Sequence, residues 1–500
     1  MPSRLPPALV WFGGSAVVLA GLVAVLAWPS LFPEHPQAIG PLIVHCAASQ
    51  RGPVGEIAAA YEAETGQSIE LRFGPSEALL NGIKTTGQGD IFLPADESYI
   101  DDARQADLIA ETVPIARMNA VLAVPAGNPR KITAWGDLTS GQFRLAQAYP
   151  AAAIGRLTHQ HLAKSGKWDE LRGKKSVDLG TVTEVANAVA LGSADAGIVW
   201  DVVARPMPQL AMVSLPELSS IEAKVLAAVL KGSKQPTEAL RFVRFLASSD
   251  KGLPRFRDHG FTHVETGDPA VLSPTLLLYA GAMLRPAIEQ TVRDFEQREG
   301  VQVTTVYDGC GILVSQMETK AKPDIFFSCD ARFMEQVRDK FSDPQTISTN
   351  QLVIAVKKGN PHGVMSLKDL AKPDLKVGVG HEQQCALGTI TRETFLQAGV
   401  YGRVAKNVVV QSPTGDLLVN QLLVGSLDVA IVYRSNVLEH PNELEWTPVT
   451  GIACASPTQP IAVGKETAFP NLSRRLVKAI QSAESRRRFE ASGFDWGAKK

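Results

Sequence analysis

Five cysteines, at positions 46, 310, 329, 385 and 454, are the most reactive side chains in this chain of 500 residues. No two fall in a Cys-x-x-Cys spacing, so neither a zinc ribbon nor a thioredoxin-type motif is expected. An odd number leaves at least one free thiol if the chain is exported. Four of the five lie in the C-terminal half. Small buried residues or one disulfide is the plainer reading of these; soft-metal or thiometalate ligation, with Met283 added to the thiolates, is the sharper one. His159 and His161, at i and i+2, do not share a helix face and make a poor metal pair. Asp90/Asp96 and Asp324/Asp330 have the types of paired acid–base carboxylates, but their recurrence at strand ends favours structural capping. Gly464-Lys-Glu-Thr467 lacks the upstream glycine loop of a nucleotide site. There is no GxSxG, no HExxH and no GxGxxG opening a helix. No nucleophile–base pair stands out, and an enzyme is not expected. Ser49 and Ser76, taken alone, read as helix N-caps.

These residues must be positioned by ordinary globular domains. The chain is 45% hydrophobic and 20% charged, which excludes a disordered or multi-span membrane protein. Its 50 Lys+Arg balance 51 Asp+Glu, leaving no basic footprint for nucleic acid. Any bound anion must therefore be held by local dipoles. Length alone suggests about three domains, but an internal repeat overrides that estimate. Tyr61-Glu-Ala-Glu-Thr-Gly66 matches Phe295-Glu-Gln-Arg-Glu-Gly300, and Asp90-Ile-Phe-Leu-Pro-Ala-Asp96 matches Asp324-Ile-Phe-Phe-Ser-Cys-Asp330. Between 181–200 and 414–433, Thr181, Asn187, Gly192, Ser193, Asp195, Ile198 and Val199 recur unchanged. A period this long means two whole domains in tandem, not a solenoid. We assign 1–40 to an N-terminal segment, 41–264 to a first module, 265–275 to a linker and 276–500 to a second module.

Each half alternates strand and helix. Leu42 to Cys46 reads as a strand. Pro53 begins a helix with Val54, Ile57, Ala58 and Tyr61 on one face and Gly66 as its stop. Asp90–Leu93, Val121–Val124 and Ala196–Trp200 read as strands, and Thr181-Val-Thr-Glu184 as a capping box opening a helix. The pattern implies α/β modules of mixed, mostly parallel sheet, with ligands at the strands' carboxyl ends. The uncharged run Ala8–Trp28 is about 30 Å long as a helix, enough for one membrane span. With a poor cleavage site at Val25-Leu26-Ala27, an uncleaved single-pass anchor in the cytoplasmic membrane is expected, holding an extracytoplasmic body.

The first half carries Cys46-Ala-Ala-Ser49, Phe73-Gly-Pro-Ser76, the Asp90–Asp96 block, Val124-Pro-Ala-Gly-Asn-Pro129, Ala153-Ile-Gly-Arg156 and Asp195-Ala-Gly-Ile-Val-Trp200. In order and spacing these resemble the molybdate-binding proteins of ABC importers, within the type II periplasmic solute-binding fold. The resemblance covers nearly all of both repeats. It implies two bilobed modules, each closing on a ligand, in a monomer that delivers a tetrahedral oxyanion to permease subunits. Molybdate or tungstate is the favoured ion, and no cofactor is implied. By motif, Ser49 and Ser76 fall on hydroxyl donors, Ile154 and Val182 on backbone N–H donors, and Trp200 on a tyrosine donor. In the second module the same positions hold Met283, Cys310, Leu387, Gly415 and Tyr433. One hydroxyl has become a thioether and another a thiol, so ordinary oxyanion binding is not expected there. Three alternatives stay open: a tethered ligand sensor, a binder of sulfate, phosphate or another anion, and a metal-ion site in the second module. A ferric site of the tyrosine-pair kind is disfavoured, because the first module has only Tyr61, Tyr99 and Tyr149 and no adjacent pair.

Overall fold

The computed structural model describes residues 40–140, 143–172, 175–262 and 267–497. The anchor expected over Ala8–Trp28 lies outside these residues. Among the described residues no helix is long and apolar enough to cross a membrane. Residues 267–274, within the expected linker, carry neither helix nor strand.

The first module is built on nine strands: β1 Leu42–Ala47, β2 Ile69–Gly74, β3 Ile91–Leu93, β4 Ile109–Pro125, β5 Arg144–Ala148, β6 Lys175–Leu179, β7 Ala196–Trp200, β8 Leu210–Val213 and β9 Glu222–Leu230. Their order is β2-β1-β3-β9-β4-β7-β5-β6, with β8 on β4. Each lobe joins a parallel core to antiparallel strands: β1 is parallel to β2 and β3, and β5 to β6 and β7, whereas β9, β4 and β8 pair antiparallel. The sheets are therefore mixed, as expected, with a larger antiparallel share than the strand–helix alternation implies. The cause is the double crossing of the chain between lobes, which returns strands in the opposite direction. The strand expected at Val121–Val124 is the end of the 17-residue β4. Its first part pairs with β9 in one lobe and its last with β7 and β8 in the other, so one continuous sheet runs through both lobes.

The second module repeats this plan with β10 Thr275–Gly281, β11 Gln302–Asp308, β12 Ile325–Phe327, β13 Gln345–Thr349, β14 Leu352–Lys357, β15 Val377–Gly380, β16 Val408–Ser412, β17 Val429–Tyr433, β18 Leu444–Pro448, β19 Thr458–Val463 and β20 Asp495–Trp496. Here the counterpart of β4 is broken between Thr349 and Leu352, giving separate sheets of six and five strands. Each module has its own apolar core.

Local signals were read faithfully by the chain. Helix Arg51–Thr65 buries Pro53, Val54, Ile57, Ala58 and Tyr61 and ends at Gly66, with φ 74°. Thr181 and Glu184 form the full capping box of helix Val182–Ala190. Asp96 and Asp330 each cap a helix, accepting from Ser98 N–H and Arg332 N–H. Asp90 and Asp324 each brace a strand, accepting from Ile43 N–H and Leu277 N–H. All four carboxylates are structural. The modules meet at Glu299, whose buried carboxylate pairs with Arg244 at 2.9 Å and with Arg475.

Candidate functional site

Ser49, Ser76, Ile154, Val182 and Trp200 are far apart in sequence, yet all line one cleft of the first module, of about 270 Å3. Ala47, Ala48, Gly74, Pro75, Ala95, Ala152, Ala153 and Thr181 complete it. No charged side chain is among these residues. Ser49 and Ser76 come from one lobe, and Ile154, Val182 and Trp200 from the other.

Three helices begin at this cleft: Ser76–Thr86, Ala153–Lys164 and Val182–Ala190. Ser76 and Val182 hold the first helical position and Ile154 the second, where backbone N–H groups have no partner within the helix. The three positive helix ends supply the field that lysine or arginine would otherwise provide. Neither serine is an N-cap. Pro75 takes that place before Ser76, and Ser49 sits inside the short turn Ala48–Gln50. Ser76 Oγ instead accepts from Ala95 N–H at 3.1 Å, leaving its own proton to donate. Ser49 Oγ is buried without a partner among the described residues. An unpaired buried hydroxyl costs free energy that a bound acceptor would recover. Trp200 is both core and wall: it is almost wholly buried, lines the cleft and opens the short helix Asp201–Ala204. Gly155 lets the helix at Ile154 approach this closely, since a Cβ there would overlap the carbonyl oxygens of Ala148 and Tyr149.

The lobes are latched beside the cleft by residues that motif reading passed over. Tyr99 OH donates to the carbonyls of Pro150 and Ala151, each at 3.2 Å. Arg156 lies 4.3 Å over the Tyr99 ring and pairs with Asp102 at 2.8 Å. Burial pushes the Tyr99 phenol well up, so it stays a protonated donor. Arg156 closes the Ala153-Ile-Gly-Arg156 motif, though nothing in the motif marks it as a latch, and Tyr99 lies in no motif.

The corresponding second-module residues hold matching places. Cys310 and Gly415 occupy first helical positions, Leu387 a second one, Met283 the turn Ala282–Leu284, and Tyr433 the end of β17. The surroundings differ. The carbonyls of Gln383, Gln384 and Pro413 press on the start of helix Cys310–Thr319, where a Cβ at Gly309 or Gly311 would overlap them. Ile312 N–H donates to Gln384 O at 3.2 Å, as Glu77 N–H donates to Ala151 O at 3.3 Å in the first module. Tyr433 OH and Ser412 Oγ are buried without partners among the described residues. Burial lifts the Tyr433 phenol well above its usual range, and the Cys385 thiol to about 11. All five cysteines are free thiols, and all but Cys454 are buried. Among the described residues no group of three or more His, Cys, Asp or Glu is arranged to hold a metal ion. The soft-metal reading of these cysteines thus finds no support in the geometry.

The family model described as bacterial extracellular solute-binding protein matches residues 42–262 and again 276–495. A putative binding protein of Haemophilus influenzae is 27% identical over 230 residues, covering 45% of this chain and 92% of the relative. The molybdate-binding protein ModA of Mycobacterium tuberculosis is 28% identical over 224 residues, covering 44% of this chain and 84% of the relative. The solved periplasmic molybdate-binding protein of Azotobacter vinelandii aligns at 20% identity with a TM-score of 0.40, covering 45% of this chain and 100% of that one.

Proposed function

The chain belongs to the family of bacterial extracellular solute-binding proteins, and from that premise we propose that its first module captures a tetrahedral oxyanion dianion. The observation that carries this reading is the cleft itself. Three helix N-termini and the hydroxyls of Ser49 and Ser76 converge on a small space with no charged wall. A site made of donors suits a fully ionised dianion and penalises a protonated one, whose O–H would face another donor. Molybdate is the favoured ion, because several relatives are molybdate-binding proteins, and tungstate shares its charge and shape. Sulfate shares their charge and shape and is the competing ion. Delivery to an ABC permease, with lobe closure as the signal, completes the proposal. The second module, with a thioether and a thiol at the serine positions, takes no part in oxyanion capture.

Calorimetry of the protein with molybdate, tungstate, sulfate and phosphate tests this. The expected result is one site per chain, filled by molybdate or tungstate and lost or weakened in Ser76→Ala. Two equal sites would remove the asymmetry between modules. Absence of binding by every oxyanion would overturn the function.

A further inference from the structure

Three differences between the repeats fall at one point in space. Where the first module has Ala47, Ser76 and Ala95, the second has Gly281, Cys310 and Cys329. The hydrogen bond is kept: Cys310 Sγ accepts from Cys329 N–H at 3.1 Å, as Ser76 Oγ accepts from Ala95 N–H at 3.1 Å. The added sulfur of Cys329 occupies space that only a glycine at 281 leaves open. A Cβ there would overlap Cys329 Sγ and stand 3.1 Å from Cys310 Sγ. The two sulfurs therefore share one small pocket, and both residues are buried.

We propose that Cys310 and Cys329 are a redox-active dithiol that closes to a disulfide when the second cleft opens to an external disulfide. The pair is built asymmetrically. Burial alone would raise the Cys310 thiol. Hydrogen bonds from the Cys329 thiol and N–H and from the Ser328 hydroxyl outweigh it, holding Cys310 below its usual range. Cys310 also stands at the first position of helix Cys310–Thr319, where the helix dipole favours a thiolate. The hydrogen bond that Cys329 gives to Cys310, with burial, holds its own thiol well above that range. Cys310 is thus the attacking sulfur and Cys329 the resolving one.

The Cys310 thiolate attacks one sulfur of the external disulfide, forming a mixed disulfide and expelling one thiolate. Cys329 then loses its proton and attacks Cys310 Sγ. The internal S–S bond forms and the second external thiolate leaves. Two protein thiols are oxidised, one external disulfide is reduced, and the protons released by the cysteines go to the two expelled thiolates. Access depends on lobe opening, because the carbonyls of Gln383 and Gln384 lie against the helix start.

The test uses the whole protein, reduced, freed of reductant and incubated with oxidised glutathione. After acid quenching, the chain is unfolded, its free thiols are alkylated, and the peptides are mapped by mass. The expected result is a cross-link between Cys310 and Cys329, with Cys46, Cys385 and Cys454 alkylated. Cys329→Ser should accumulate glutathione on Cys310, whereas Cys310→Ser should leave Cys329 unmodified. Cys385→Ser should cross-link as the unaltered protein does, which separates the pair from its third sulfur neighbour. Five alkylated cysteines in the unaltered protein, or a cross-link through Cys385, would overturn the proposal. So would glutathione on Cys329 in the Cys310→Ser protein.

Discussion

Replacing Ser49 by alanine should move stability and affinity in opposite directions. Among the described residues Ser49 Oγ is buried and has no hydrogen-bond partner. A buried polar group left unpaired costs about 1–3 kcal/mol, so its removal gives back part of that penalty, offset by the packing lost with the oxygen. Ser49→Ala should therefore leave the ligand-free module as stable as before, or stabilise it by about 1 kcal/mol. For a module of this size that corresponds to a rise in melting temperature of roughly 2–4 °C. With the ligand bound, the same hydroxyl would donate to a charged oxygen. Such a bond is worth about 1.5–3 kcal/mol, so the variant should bind roughly 10- to 150-fold more weakly. Ser76→Ala is the control with a different signature. It strips the acceptor from Ala95 N–H and should lower both stability and affinity. Calorimetry of unfolding and of ligand binding on the two variants reads both quantities. A Ser49→Ala protein that melts several degrees lower, or one that binds the oxyanion unchanged, would refute the assignment of Ser49 as a donor held in reserve.

Three other substitutions have defined outcomes. Tyr99→Phe removes the donor to Pro150 and Ala151 and should weaken ligand binding about fivefold through faster release, read by stopped-flow dissociation. Asp195 is held below the usual carboxylate range, chiefly by its hydrogen bond from Arg144. Its contribution is complete above the unfolded-state value of about 4 and is lost as pH falls through the lower folded value. Asp195→Asn should then cost less than about 1 kcal/mol at neutral pH, because Arg144 is half exposed, and the gap should close in acid; urea titrations at several pH values measure it. Glu299→Gln leaves the partly buried Arg244 and Arg475 beside one another without their counter-charge and should destabilise the junction of the modules by up to about 3 kcal/mol, seen in denaturant unfolding.

Much of this protein is written locally. The repeat, the helix stop at Gly66 and the capping box at Thr181 depend on residues within a few positions of one another. The five first-module candidates were named through the motifs that carry the resemblance, which are short and local, whereas their meeting in one cleft was not legible there. The same reading missed Tyr99, which acts through a carbonyl some fifty residues away. It also took Ser49 and Ser76 for caps when judged alone, because a serine beside a helix start looks the same whether it bonds its own helix or a distant strand. The extent of antiparallel pairing was not legible for a related reason: alternation of strand and helix says nothing of which strands meet after the chain crosses between lobes.

The sequence by itself determined that there are two modules, where their helices begin, and that the second lacks the serines of the first. Each is a property of residue type and short spacing. Only the tertiary structure decided that three helix ends converge on one uncharged cleft, that β4 runs unbroken through both lobes, and that Gly281, Cys310 and Cys329 form a single sulfur pocket. Those facts rest on close approach between segments remote in sequence. Packing fixes such approaches at the scale of a single atom, and no local pattern records them.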